Sequence, residues 1–102
     1  MGKNRIRESL IREITNIIVH EIILKHTNRP ESVHFLESEI IEYRSMAEKT
    51  SEKYNWNAEE KKDIERKALE MIKKKLVVKY SDVKYSEKEV IGELGKMMDL
   101  IG

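Results

Sequence analysis

The sequence predicts an all-α protein of four helices, arranged as two repeated helix hairpins with approximate two-fold symmetry. Apolar residues recur at steps of three and four along most of the chain, which is the spacing of amphipathic helices. One proline and four glycines in 102 residues leave few places for loops. The chain also matches itself after a shift of 54 residues. A chain of this length forms one domain, so we expect residues 1–102 to fold as a single unit.

The first helix is predicted to run from about Arg5 to His26. Its apolar residues recur at helical steps: Leu10, Ile14, Ile17, Ile18, Ile22 and Leu24. The β-branched residues at 17–19 and 22–23 would also suit a strand. A helix is favoured because the periodicity continues for about five turns, which is longer than most strands.

The second helix is predicted to begin at Pro30, because proline suits the first helical position. Glu31 then lies in the first turn, where an acidic side chain meets the positive end of the helix dipole. One clean apolar stripe follows: Val33, Leu36, Ile40, Tyr43 and Ala47. We expect this helix to continue to about Tyr54.

The third helix is predicted to begin after Asn57, which forms an N-terminal capping box with Glu60. Its inward residues are expected to be Ile64, Ala68, Met71, Ile72, Leu76 and Val78. The segment 76–80 is rich in strand-forming residues, so a short strand is the alternative there.

The fourth helix is predicted from a second capping box, formed by Ser86 and Glu89. Its inward side is expected to carry Val90, Leu94, Met97 and Ile101, with Ile91 and Met98 beside them.

The self-match pairs apolar residues with apolar residues, as in Ile18 with Ile72 and Leu36 with Val90. It predicts repeat units at about 10–47 and 64–101, joined by a linker at about 48–63. Any two amphipathic helix pairs can be placed in phase, which is the alternative explanation. A helix hairpin cannot bury its own apolar stripe, so the two units are expected to pack together with a groove between them.

The composition and motifs favour a non-enzymatic protein without a cofactor. The chain has no cysteine, which excludes disulfides and thiolate chemistry. His20-Glu21 resembles the start of a zinc-protease motif, but Leu24 stands where the second histidine is needed. No metal-ligand cluster, glycine-rich phosphate loop or membrane span is predicted. The absence of Gln and the many Ile, Lys and Glu residues are typical of proteins from hot environments.

The candidate protein-binding residues are apolar or small residues that lie off the predicted core stripes. They are Ile23, Phe35, Met46, Val77, Gly92 and Gly95. A glycine inside a helix costs about 1 kcal/mol relative to alanine, so the two glycines suggest close approach of another backbone. The partner would be a protein or peptide, or another copy of the chain. A core that wraps widely enough to cover the apolar residues is the alternative.

Nucleic-acid binding is the weaker alternative, and it would use the basic part of the third helix. The residues concerned are Arg66, Lys73, Lys74, Lys75 and Lys79. Acidic residues interleave with them and no aromatic residue lies among them, so a solvated face is favoured.

The chain length and the stretch from His34 to Tyr43 (HFLESEIIEY) resemble small uncharacterised proteins of Acidianus filamentous viruses, which infect archaea of hot springs. The resemblance implies no activity. It places the protein in an infected archaeal cell. Since the sequence predicts no signal peptide and no membrane span, we expect a location in the host cytoplasm, with a structural role in the virion as the alternative.

Overall fold

The computed structural model describes the backbone of residues 2–26, 30–79 and 85–101, and the side chains of 2–26, 33–78 and 85–99. These residues form α1 (Lys3–His26), α2 (Pro30–Ser51), α3 (Ala58–Lys79) and α4 (Glu87–Ile101). The described part of the chain contains no strand, which confirms the all-α class. The segment 76–79 is helical, and Tyr80 lies outside the described residues.

Both predicted capping boxes are present. The backbone N–H of Glu60 donates to Asn57 Oδ1 at 2.8 Å, and the N–H of Asn57 donates to Glu60 Oε1 at 3.1 Å. The N–H of Glu89 donates to Ser86 Oγ at 3.1 Å. These bonds satisfy backbone donors that have no partner inside the first turn of a helix, so they fix where α3 and α4 begin.

The second helix ends at Ser51, so the prediction that it continues to about Tyr54 was wrong. The reason lies in Trp56, which is buried in the core and brings the chain back across the end of the helix. Its indole N–H donates to the carbonyl of Ser51 at 3.0 Å and so satisfies an acceptor at the C-terminus of α2.

The first helix is central, because the two most extensive helix–helix contacts, with α2 and with α3, are both its own, and it also packs against α4. It is antiparallel to α2, as the bond from Thr50 to Glu13 and the contact of Tyr43 with His20 show. It is parallel to α3, since Lys3 pairs with Glu60 near the start of both helices. Further along, α1 and α3 meet again where Thr15 contacts Met71. Within the described residues, α2 and α3 do not contact each other.

The core lies around α1, whose ten buried residues point in several directions rather than along one stripe. The predicted stripes of α2 and α4 are largely buried, as are Ile64, Ala68, Ile72 and Leu76 of α3. Val78 was predicted to be inward, but it is 78% exposed. It follows Leu76 by two residues, a rotation of about 200° that turns it away from the core.

The repeat predicts equal burial at matched positions, and several pairs agree. Ile14 with Ala68, Ile18 with Ile72, and Ile22 with Leu76 are all fully buried. The hairpins are less alike in their packing, because α1 and α2 meet over a larger area than α3 and α4 do. The contact of α1 with α4 also has no counterpart between α3 and α2 in the described structure. The approximate two-fold relation therefore stays a prediction.

Candidate partner-binding surface

One side of α1 stays open because α2 and α3 flank it without meeting. We call the residues on this side the open row; they are Arg5, Ser9, Arg12, Asn16, His20 and Ile23. Their steps of three and four place them on one side of the helix, and none of them is buried. The open row is largely polar, with Ile23 as its apolar end.

Contacts from both neighbouring helices define the edges of the open row. From α2, the ring of Tyr43 lies 5.6 Å from the ring of His20, measured between centroids. From α3, Lys75 Nζ donates to Asn16 Oδ1 at 2.7 Å. The row therefore forms the floor of a groove on α1, with α2 as one wall and α3 as the other.

Two of the predicted partner-binding residues lie together on the α2 wall. Phe35 is 62% exposed and Met46 is 44% exposed, so the monomer's own core covers neither. They are eleven positions apart, which is slightly more than three full turns and puts both side chains on one face. Met46 also lies between Tyr43 and Thr50, the two residues of α2 that contact α1 beside the open row.

The remaining apolar candidates have different positions. Ile23 is half-buried and packs against the core, so it is only partly available to a partner. Val77 is exposed on the side of α3 that faces away from its buried stripe, apart from Phe35 and Met46. Val78, which sequence reasoning assigned to the core, lies seven residues after Met71 and therefore on the same side as that residue.

The two helical glycines do not serve close packing within the chain. A Cβ atom built on Gly92 or Gly95 would meet no described atom within 4 Å outside the helix's own backbone and adjacent residues. Gly92 is exposed, Gly95 is half-exposed, and the neighbouring Ile91 is exposed as well. Approach of the facing helix therefore does not explain these glycines, and approach of a partner's backbone stays a prediction.

Two hollows lie along the open row, one beside each wall, and Arg12 lines both. The hollow between α1 and α3 has a volume of about 470 Å³ and includes Ile11 and Met71 in its lining. The hollow between α1 and α2 has a volume of about 420 Å³ and includes Glu13 and Lys53. The first lies at the junction of the two predicted repeat units, where the sequence placed a groove.

Two carboxyl groups, one buried and one half-buried, meet at the junction of α1, α2 and α4. Glu21 is 8% exposed, forms a salt bridge with Arg44 and shares a hydrogen bond with Glu93. Burial, then this hydrogen bond, raises the pKa of Glu21, whereas the hydrogen bond from Lys25 holds the pKa of Glu93 below its usual value. Sequence reasoning found no carboxylate pair in a dry site, because 72 residues separate these two along the chain.

The basic residues of the nucleic-acid alternative do not form one face. Lys73, Lys74 and Lys75 are consecutive, so they point about 100° apart around the helix. Two members of the set are already paired with acids, Arg66 with Asp63 and Lys73 with Glu87. The side chain of Lys79 lies outside the described residues. The structure thus adds no support for this alternative.

Comparison with known proteins gives no relative from which a site could be transferred. No protein family, curated protein or solved structure matches the chain. Among the described residues, no three His, Cys, Asp or Glu side chains are placed to hold a metal ion. No helix within the described ranges combines the length and the apolar character needed to cross a membrane. The fold and the surface therefore define only a class, a four-helix protein with an open groove.

Proposed function

We propose that this chain is a non-enzymatic protein–protein interaction module. It binds a partner segment, or another copy of itself, in the groove between its two hairpins. The observation that carries this proposal is the exposure of Phe35 and Met46 on one face of α2, with Met46 beside the open row of α1. Large apolar side chains grouped at a polar groove commonly mark contacts with a partner.

The groove suits a helical or extended segment that lies along α1. Phe35 and Met46 are eleven residues apart, which is about 16 Å along a helix at 1.5 Å per residue. A helix in such a groove presents apolar side chains at i, i+3, i+4 and i+7, so it could contact both residues and leave polar groups for the open row. Methionine also adapts its shape to the partner more readily than branched residues do.

The proposal is tested with two variants of α2 and the wild-type chain. The double variant Phe35→Glu, Met46→Glu places charges at the groove. The control variant Ile41→Glu changes a residue that is even more exposed, but lies about 120° away around the helix from Phe35. None of the three side chains is buried, so both variants are expected to fold as the wild type does.

Light scattering during size-exclusion chromatography separates self-association from partner binding. We expect either a dimer of the chain or a complex with a protein captured from cells of its source. The viral resemblance suggests infected archaeal cells as the starting material. The groove variant should lose the complex and the Ile41 variant should keep it. Equal loss in both variants, or a complex that survives both, would overturn the proposal.

A further inference from the structure

One face of α2 and one face of α3 have the same residue spacing and opposite charge. The α2 face combines two apolar residues with two acids, and we call it the acidic face. The α3 face combines two apolar residues with two bases, and we call it the basic face. In each, the four residues follow at steps of four, three and four, so they span about 60° around the helix. The acidic face is Phe35, Glu39, Glu42 and Met46, and the basic face is Lys67, Met71, Lys74 and Val78.

Both faces reach the open side of the molecule. Met46 of the acidic face lies beside the open row of α1, between the two α2 residues that contact α1 there. Lys67 and Met71 of the basic face line the hollow between α1 and α3, together with Arg12 of the open row. Since α2 and α3 do not contact each other within the described residues, the two faces cannot neutralise each other inside one chain.

The charges of the two faces lack strong partners within the described part of the chain. Glu42 and Lys74 are exposed, and neither forms a salt bridge with a described residue. Lys67 pairs with Asp63 of its own helix at 3.3 Å, and an exposed pair of this kind contributes little to stability. Helix faces that mix apolar and charged residues at such steps are typical of helices that pair with a helix of opposite charge.

We propose that the open side binds a second copy of the chain, in a dimer whose two-fold axis runs parallel to α1. A two-fold rotation about this axis places the acidic face of each copy against the basic face of the other. The two helices that meet are antiparallel, because α2 is antiparallel to α1 and α3 is parallel to it. This inference rests on the proposed function and names the second copy as the partner.

The opposite charges meet at compatible levels in this dimer. Rotation about an axis parallel to α1 leaves every residue at its own level along that helix. Glu42 is next to the α2 residue that contacts His20, and Lys74 is next to the α3 residue that bonds Asn16. His20 and Asn16 are four residues apart, which is about 6 Å along the helix. A lysine side chain spans this distance, so Glu42 of one copy and Lys74 of the other can pair.

The same arrangement brings the open row of one copy towards that of the other. Arg12 of each copy then lies close to the axis. Glu8 and Glu70 line the same hollow as Arg12 and Lys67, so the charged side chains around each hollow sum to zero. The approach of the two arginines is therefore compensated within each copy.

Charge reversal tests the pairing of the faces. Sedimentation equilibrium of the full chain measures the dissociation constant of the dimer. Glu42→Lys, or Lys74→Glu, turns an attractive contact into a repulsive one, and the two-fold axis repeats the change in the second contact. An exposed ion pair contributes up to about fivefold in affinity, so each variant should dimerise about 25-fold more weakly than the wild type. High salt should weaken the wild-type dimer as well, because it screens exposed charges.

An equimolar mixture of the two variants gives the sharpest result. In a mixed dimer one contact is unchanged, and in the other both charges are reversed and attract again. The mixture should therefore dimerise about as tightly as the wild type, although neither variant does so alone. A mixture that is no tighter than its components would overturn the proposal. A wild-type chain that is monomeric at every concentration measured would overturn it too.

Reversals on other faces of the same helices are the matched controls. Glu48→Lys and Lys62→Glu change exposed residues that lie about 120° around their helices from Glu42 and Lys74, respectively. Both controls should dimerise as the wild type does. If they weaken the dimer as much as the face variants, net charge controls the association and the pairing of the faces is wrong. Circular dichroism of each variant confirms that the helices are intact.

Failure of this inference can be told apart from failure of the proposed function. A monomeric wild type may still capture another protein and lose it in the Phe35→Glu, Met46→Glu variant. That result overturns the second copy as the partner and keeps the groove as a binding surface. A dimer that survives both Glu42→Lys and Lys74→Glu uses another surface and overturns the pairing proposed here.

Discussion

Phe35 and Leu36 are neighbours on α2 with opposite burial, so alanine substitutions at the two positions separate surface from core. Leu36 is 7% exposed, and replacing a buried leucine by alanine costs roughly 2–5 kcal/mol. We expect Leu36→Ala to lower the free energy of unfolding by about 3 kcal/mol. The adjacent substitution should behave very differently, because the side chain of Phe35 is exposed.

The expected cost for Phe35→Ala follows from its exposure. Phe35 is 62% exposed, so about two-fifths of a full burial energy of about 2.5 kcal/mol, or about 1 kcal/mol, would be lost. Alanine favours the helix over phenylalanine by about 0.5 kcal/mol. The net destabilisation should therefore be about 0.5 kcal/mol, about a sixth of the cost at the neighbouring position.

Urea unfolding followed by circular dichroism measures both values, at two protein concentrations about a hundredfold apart. If Phe35→Ala lowers the free energy of unfolding as much as Leu36→Ala does at both concentrations, Phe35 belongs to the monomer's core and the prediction is wrong. A large cost that appears only at the higher concentration would instead identify a second copy of the chain as the occupant of the groove.

Three further predictions concern the frame that holds the groove. Asn57→Ala removes the N-cap of α3 and should lower the free energy of unfolding by about 1 kcal/mol, measured in urea. A decrease of less than about 0.3 kcal/mol would show that the cap contributes little. Trp56→Phe keeps the buried ring but removes the indole bond to the end of α2, and we expect a loss of about 1 kcal/mol. For Glu21, the folded pKa lies above the ordinary 4.5, so between these two values the folded protein binds more protons than the unfolded one. Stability should therefore fall as pH rises through that window, and Glu21→Gln should reduce this fall in thermal melts, while Glu13, whose pKa is also raised by burial, accounts for the remainder. A wild-type melting temperature that rises across the same window would contradict the assignment.

The helices and their N-caps could be predicted from the sequence because their signals are local. A capping box spans four residues, and an apolar stripe repeats within two turns. The end of α2 could not be predicted in this way. It depends on Trp56, whose burial is decided by packing against residues far away in the chain.

The candidate surface could be predicted only in part, because exposure depends on how many neighbours each helix has. Phe35 and Met46 lie off the apolar stripe of α2, which packs mainly against one helix, α1. Their exposure could therefore be predicted from the periodicity. Ile23 lies on the central helix, where core packing extends further around than a single stripe. The pairing of Glu21 with Glu93 is a product of tertiary packing, and no spacing in the sequence indicates it.

The most direct test of the groove as a binding surface is photocrosslinking from single positions on α2. A benzophenone-bearing phenylalanine replaces Phe35 in one variant and Ile41 in the other, and each chain is irradiated in cells of its source. We predict a discrete crosslinked product from position 35, either with a partner protein or with a second copy, and none from position 41. Equal products from both positions, or a product from position 41 alone, would contradict the account.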